Sequence, residues 1–151
     1  MNLIEQAKKQ AAEAVLGAYH AAVAAGELPE GDVPAVAVEI PKDTKNGDYA
    51  SSFAMQCARA LHMAPRKIAE ALVAHIALDG TYFEEISIAG PGFLNFRLGK
   101  KWYADAVQLV SDMGADYGRI KAEHPEKIMV EFVSANPTGP MHMGNARGGV
   151  L

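Results

Sequence analysis

The stretch TYFEEISIAGPGFLNFRL, residues 81–98, decides how the chain is read. It holds two runs of strand character, Tyr82 to Ile88 and Phe93 to Leu98, joined by Ala89-Gly90-Pro91-Gly92, a connection rich in turn residues. Side chains alternate along a strand, so Leu94, Phe96 and Leu98 share one face while Phe93, Asn95 and Arg97 share the other. The first set is core material. The second is a mixed aromatic, amide and cation surface, of the sort that can stack an unpaired base and hydrogen-bond its edge. Spacing alone favours a plainer duty for Asn95, that of satisfying a neighbouring loop.

Upstream, Val36, Val38 and Ile40 alternate with Ala35, Ala37 and Glu39 between Pro34 and Pro41, which reads as another strand. Asn46-Gly47 is a hairpin signal, and it predicts that Asp48 to Ala50 begins the returning strand. Helical stripes surround these runs. Asn2 can cap the first helix with Glu5 three residues on; Ile4, Ala7, Ala11, Ala14, Val15, Ala18 and Ala22 form its apolar side, and Gly26 stops it. Phe53, Ala54, Cys57, Ala58 and Leu61 read as a second helix. Pro65 opens a third, carrying Ile68, Ala69, Leu72, Val73 and Ile76 as far as Asp79-Gly80. Trp102, Ala106, Leu109, Val110 and Met113 make a fourth, closed by Gly114. Two layers would bury these patterns, which predicts an α+β domain over residues 1–115: an antiparallel sheet with helices on one face. Residues 116–126 are polar, contain Gly118 and Pro125, and read as a linker to a second element set at 127–151.

Composition narrows the classes. A chain of 151 residues, half of them hydrophobic, can hold one good core, or one domain and part of another. No apolar run approaches the roughly 18 residues of a membrane span, and MNLIEQAKKQ lacks signal-peptide anatomy. The single cysteine, Cys57, lies among apolar neighbours and reads as core; a reducing cytoplasm fits. A net charge of −4 argues against a chain that coats nucleic acid indiscriminately. It still allows a local basic patch from Lys42, Lys45, Arg66, Lys67, Arg97, Lys100 and Lys101.

The last stretch, MVEFVSANPTGPMHMGNARGGVL at residues 129–151, carries the chemistry. Ile128 to Val133 is compatible with a buried strand of a parallel sheet. A loop with Asn136, Pro137, Gly139 and Pro140 follows, and then a helix start at His142-Met143-Gly144-Asn145. Strand, kinked loop and helix N-terminus, in that order, make an anion site in open α/β sheets. Of the five histidines, His142 is the functional candidate; His20, His62, His75 and His124 read as structural or solvent-facing. No phosphate loop of Gly-x-x-x-x-Gly-Lys-Ser/Thr form is present, Gly144, Gly148 and Gly149 do not fit Gly-x-Gly-x-x-Gly, and no Cys/His spacing suggests zinc.

SANPTGPMHMGNARGG resembles the class I aminoacyl-tRNA synthetase signature of His-Ile-Gly-His type, in the form found in arginyl-tRNA synthetases. Glu131, Ser134-Ala135-Asn136, Pro137 to Pro140 and His142 fall at that family's spacing, whereas Asn145 replaces its last histidine. IPKDTKNGDYASSFAM (40–55) and AGPGFLNFRL (89–98) resemble the family's N-terminal additional domain. The resemblance implies an arginine-tRNA ligase that activates L-arginine with ATP and Mg²⁺ and passes it to tRNA(Arg), with no tightly bound cofactor and no metal ligands in this chain. It implies catalytic roles for His142 and Asn145, and an ATP site at Pro140, His142, Gly144 and Asn145. The arginine site would comprise Glu131, Ser134, Ala135, Asn136 and Asn145, and the tRNA elbow would meet Phe93, Asn95 and Arg97. Residues 127–151 would start a Rossmann-like catalytic domain. The expected whole enzyme is a cytoplasmic monomer without membrane partners, and this chain a fragment of it, inert alone. A different class of reading is a free-standing RNA-binding or interaction domain with a vestigial signature.

Overall fold

In the computed structural model, Asn2 holds an extended backbone, and its side-chain oxygen accepts the N–H groups of Ile4 (3.0 Å) and Glu5 (3.5 Å). Two donors that no helical carbonyl can reach are thereby satisfied. Glu5 pairs with Lys8 at 3.2 Å on the helix exterior. Helix α1, Leu3–Ala24, buries Ala7, Ala11, Val15, Ala18, Tyr19 and Ala22 along one side. It stops where Gly26 turns to φ 75°, with the Glu27 N–H returning to the Ala22 carbonyl at 2.9 Å. The described residues are 2–119, 124–131, 133, 135, 136 and 138–150. They fall into two units, Met1–Tyr117 and Gly118–Leu151.

In the first unit, β1 (Tyr49–Ser51), β2 (Phe83–Ala89) and β3 (Phe93–Leu98) form an antiparallel sheet in the order β1-β3-β2. Ile86 and Tyr49 flank Phe96; Ile88 and Ser51 flank Leu94. This face meets α2 (Phe53–Cys57) and α3 (Pro65–His75), while α1 packs on α3. Phe53, Phe96, Ile68, Leu72, Leu94 and Val15 are fully buried between the layers, and Phe83 bridges Tyr49 and Phe96 by ring contacts at 5.7 and 5.2 Å. The fold is therefore α+β, with a small three-stranded antiparallel sheet.

Two local expectations need correction. Val36 to Ile40 forms no ladder: only Glu39 bridges to Ala50, with N–H···O distances of 2.9 and 2.8 Å. The buried Ser51 hydroxyl donates to the Ala37 carbonyl at 2.8 Å, so a side chain serves where a ladder bond would otherwise run. Asn46-Gly47 is also not a two-residue hairpin turn. Residues Thr44–Asn46 make a 3₁₀ turn started by Asp43, and Gly47 carries the chain past the Phe96 carbonyl. A third difference lies in α2, which ends at Cys57 instead of reaching Leu61; the chain then turns through His62 at φ 51°.

Helix α4 (Lys100–Met113) ends at Gly114 (φ 50°), as its sequence predicts. Its Trp102 indole donates to the Leu3 carbonyl at 3.3 Å, but no α4 side chain is fully buried. Among the described residues no helix is long and apolar enough to cross a membrane.

The second unit contains α5, Met143–Val150. The strand expected at Ile128 to Val133 is absent among its described residues: Ile128, Met129 and Val130 are exposed and unpaired. A parallel strand depends on neighbouring strands and on cover over both faces, and no described element supplies either.

Candidate functional site

Two places hold the residues singled out from the sequence. The first is the sheet face away from the helices. Pairing aligns Glu39, Ala50, Asn95 and Ser87 in one row across it, with Arg97 and Glu85 in the next row on one side and Phe93 and Ala89 in the next row on the other. Asn95 is only 6% exposed, and its amide makes no hydrogen bond to a described side chain or backbone group. The loop-satisfying duty that spacing favoured is thus not what it performs. Phe93 is half-buried; Arg97 is exposed and sits 3.4 Å from the Glu85 carboxylate, a surface pair of small energetic weight. Of the other basic candidates, Arg66 pairs with Glu70 and also donates to the Gly90 carbonyl at the hairpin tip, and Lys101 pairs with Asp105. Sequence reasoning missed Glu39, Ala50 and Ser87 as neighbours of Asn95, since only the register of three strands brings them together.

The second place is the approach to α5. A cleft of about 360 Å³ is lined by Ala135, Asn136, Thr138, Gly139, Pro140, Met141, His142 and Asn145. Beside it, a more apolar cleft of about 500 Å³ shares Met141, His142 and Asn145 and adds Val133, Met143 and Ala146. The fold of this segment therefore gathers Ala135, Asn136, Pro140, His142 and Asn145. Glu131 lines neither cleft and is exposed, although it falls within the run Ile128 to Val133 that the sequence reads as compatible with a buried strand. Gly144 contributes backbone instead of lining, and Ser134 lies outside the described residues. Met141 was missed: a methionine reads as core filling, yet here it is 71% exposed and common to both clefts.

The helix start has a defined bonding pattern. The Gly144 N–H donates to His142 Nδ1 at 3.1 Å, the His142 N–H donates to Asn145 Oδ1 at 3.1 Å, and the Asn145 N–H donates to the His142 carbonyl at 2.9 Å. Among the described residues no three His, Cys, Asp or Glu side chains converge to hold a metal ion.

Residues 2–98, which include the whole sheet and Asn95, match the family model described as the arginyl tRNA synthetase N terminal domain. The chain belongs to this family. Similarity to arginyl-tRNA synthetases continues beyond the matched segment. An arginine-tRNA ligase of Ruminiclostridium cellulolyticum is 43% identical over 150 residues, covering 99% of this chain. The arginine-tRNA ligase of Bacillus subtilis is 41% identical over 151 residues. In both comparisons the chain spans 27% of the relative's length. The crystal structure of arginyl-tRNA synthetase from Plasmodium falciparum aligns with a TM-score of 0.51 and 19% identity, over 66% of this chain and 17% of that one. At that identity the likeness is one of fold.

Proposed function

We propose that this chain is the N-terminal part of an arginine-tRNA ligase, with residues 1–115 acting as the tRNA-elbow module and residues 116–126 as a linker. Residues 127–151 would be the first piece of the nucleotide-binding catalytic domain, built in the Rossmann-like manner once neighbouring strands cover Ile128 to Val133. The observation that carries this reading is the 43% identity to an arginine-tRNA ligase over 99% of the chain, through both the sheet and the His142 segment.

In this reading Phe93 stacks a base, Asn95 hydrogen-bonds its edge, and Arg97 leaves Glu85 for a phosphate. The setting of Asn95 suits the role, because its amide makes no hydrogen bond to a described residue and is ready to bond a base. Pro140, His142, Gly144 and Asn145 would face ATP, with Mg²⁺ arriving on its phosphates. Glu131, Ser134, Ala135, Asn136 and Asn145 would hold arginine. The guanidinium suits bidentate pairing with Glu131, and the arginine carboxylate would attack the α-phosphate beside His142 and Asn145.

The test is binding of tRNA(Arg) by this chain over a salt series, for wild type and Asn95→Ala. The expected result is weak binding that falls steeply with salt, further weakened about tenfold in the variant, the low end of what one specific base contact contributes. Equal binding by both proteins would remove Asn95 from the interface.

A further inference from the structure

We propose that Gly144 and Asn145 are positioning residues for His142, holding its imidazole as the neutral Nε2–H tautomer across the first turn of α5. Two backbone donors decide the chemistry. The Gly144 N–H can only donate, so its partner at 3.1 Å, His142 Nδ1, keeps its lone pair free and the ring proton resides on Nε2. The His142 N–H can likewise only donate, so Asn145 presents Oδ1 to it and keeps its NH₂ group for other partners. The result is a reciprocal cap. The residue before the helix serves the second helical N–H, and the third helical side chain serves the N–H of the residue before the helix. Imidazole and carboxamide thus do what hydroxyl and carboxylate do in the usual capping box.

Gly144 supplies the room. A Cβ on it would stand 3.0 Å from His142 Cε1 and 3.1 Å from Nδ1, so a side chain at 144 pushes the ring away by a few tenths of an ångström. The glycine lets the ring approach the helix backbone closely. Asn145 fits the same logic: one amide supplies an acceptor for the backbone and a donor for the cleft without changing charge. His142 and Asn145 both line both clefts, and with Nδ1 and Oδ1 committed, their remaining hydrogen-bonding side-chain groups are dominated by N–H donors. The cap stands on backbone chemistry alone; only the identity of what those donors meet rests on the synthetase reading.

The experiment is nuclear magnetic resonance on the ¹⁵N-labelled chain, looking for coupling through the hydrogen bond between the Gly144 amide nitrogen and His142 Nδ1. Wild type at neutral pH should show this cross-peak together with ring nitrogen shifts of the Nε2–H form. Gly144→Ala should keep or strengthen the α5 amide pattern and weaken the cross-peak. Asn145→Asp, which retains the acceptor, should keep the cross-peak, and Asn145→Ala should weaken it. Absence of the cross-peak in wild type, its undiminished strength in Gly144→Ala, or its loss in Asn145→Asp overturns the proposal. A missing cap would leave the ligase reading untouched. Conversely, failed ATP-pyrophosphate exchange in the longer enzyme would leave an observed cap in place.

Discussion

At Gly47 the backbone takes φ 82°, and a Cβ there would stand 2.6 Å from the Phe96 carbonyl oxygen. Both backbone conformation and space forbid a side chain, so Gly47→Ala should cost about 2–4 kcal/mol of folding free energy, read from urea denaturation. Cys57 poses a different problem. It is fully buried, and burial pushes its thiol up from 9.0 to about 11. A raised folded pKa favours the protonated thiol in the native state, so this stability is complete below pH 9 and is lost as pH rises towards 11. Cys57→Ala should flatten the fall in unfolding free energy between pH 9 and pH 10 while leaving the acid limb unchanged. The Tyr49 and Tyr82 phenols, raised chiefly by burial, sustain a slope above pH 10 in both proteins. At the sheet surface, Glu85 holds the Arg97 guanidinium at 3.4 Å and would compete with an incoming phosphate. If the elbow reading holds, Glu85→Gln should tighten tRNA binding a few-fold at low salt, and an unchanged or weakened Kd would count against it.

Among the elements, α1 illustrates what a helix tolerates. Gly17 lies exposed in its middle, and nothing comes within 4 Å of a Cβ built there. Gly17→Ala should therefore stabilise the fold by about 0.5–1 kcal/mol, through helix propensity alone, seen as a rise in thermal midpoint. The strands show why periodicity works unevenly. Phe93 to Leu98 was legible because core packing and register both follow from strict alternation. Val36 to Ile40 alternates as clearly but remains outside the ladder, because its alignment depends on a Ser51 hydroxyl 14 residues away. Asn46-Gly47 misled for a similar reason: Asp43, Phe96 and Asp48 shape that turn, with Asp48 taking the Leu98 N–H at 2.8 Å.

For the whole molecule, the first unit has its own core, joining α1, α2, α3 and the sheet. A chain cut after Tyr117 should unfold cooperatively, with a denaturation free energy within about 0.5 kcal/mol of the same transition in the full chain. Trp102, the single tryptophan, lies in this unit and reports the transition by fluorescence. A broad or missing transition in the shortened chain would show that the first unit is not self-sufficient.

Local pattern was enough to determine the helices near α1, α3 and α4, the β2–β3 hairpin and the faces of β3. Each of these follows from contacts a few residues apart, or from alternation that any packed layer must respect. Tertiary structure alone decided that Glu39, Ala50, Asn95 and Ser87 form one row, and that Asn95 is largely buried while its amide bonds to no described residue. It also decided the exposure of Ile128 to Val130: an apolar run becomes a buried strand only when other strands reach it, and hydrophobicity in one segment cannot provide its own neighbours.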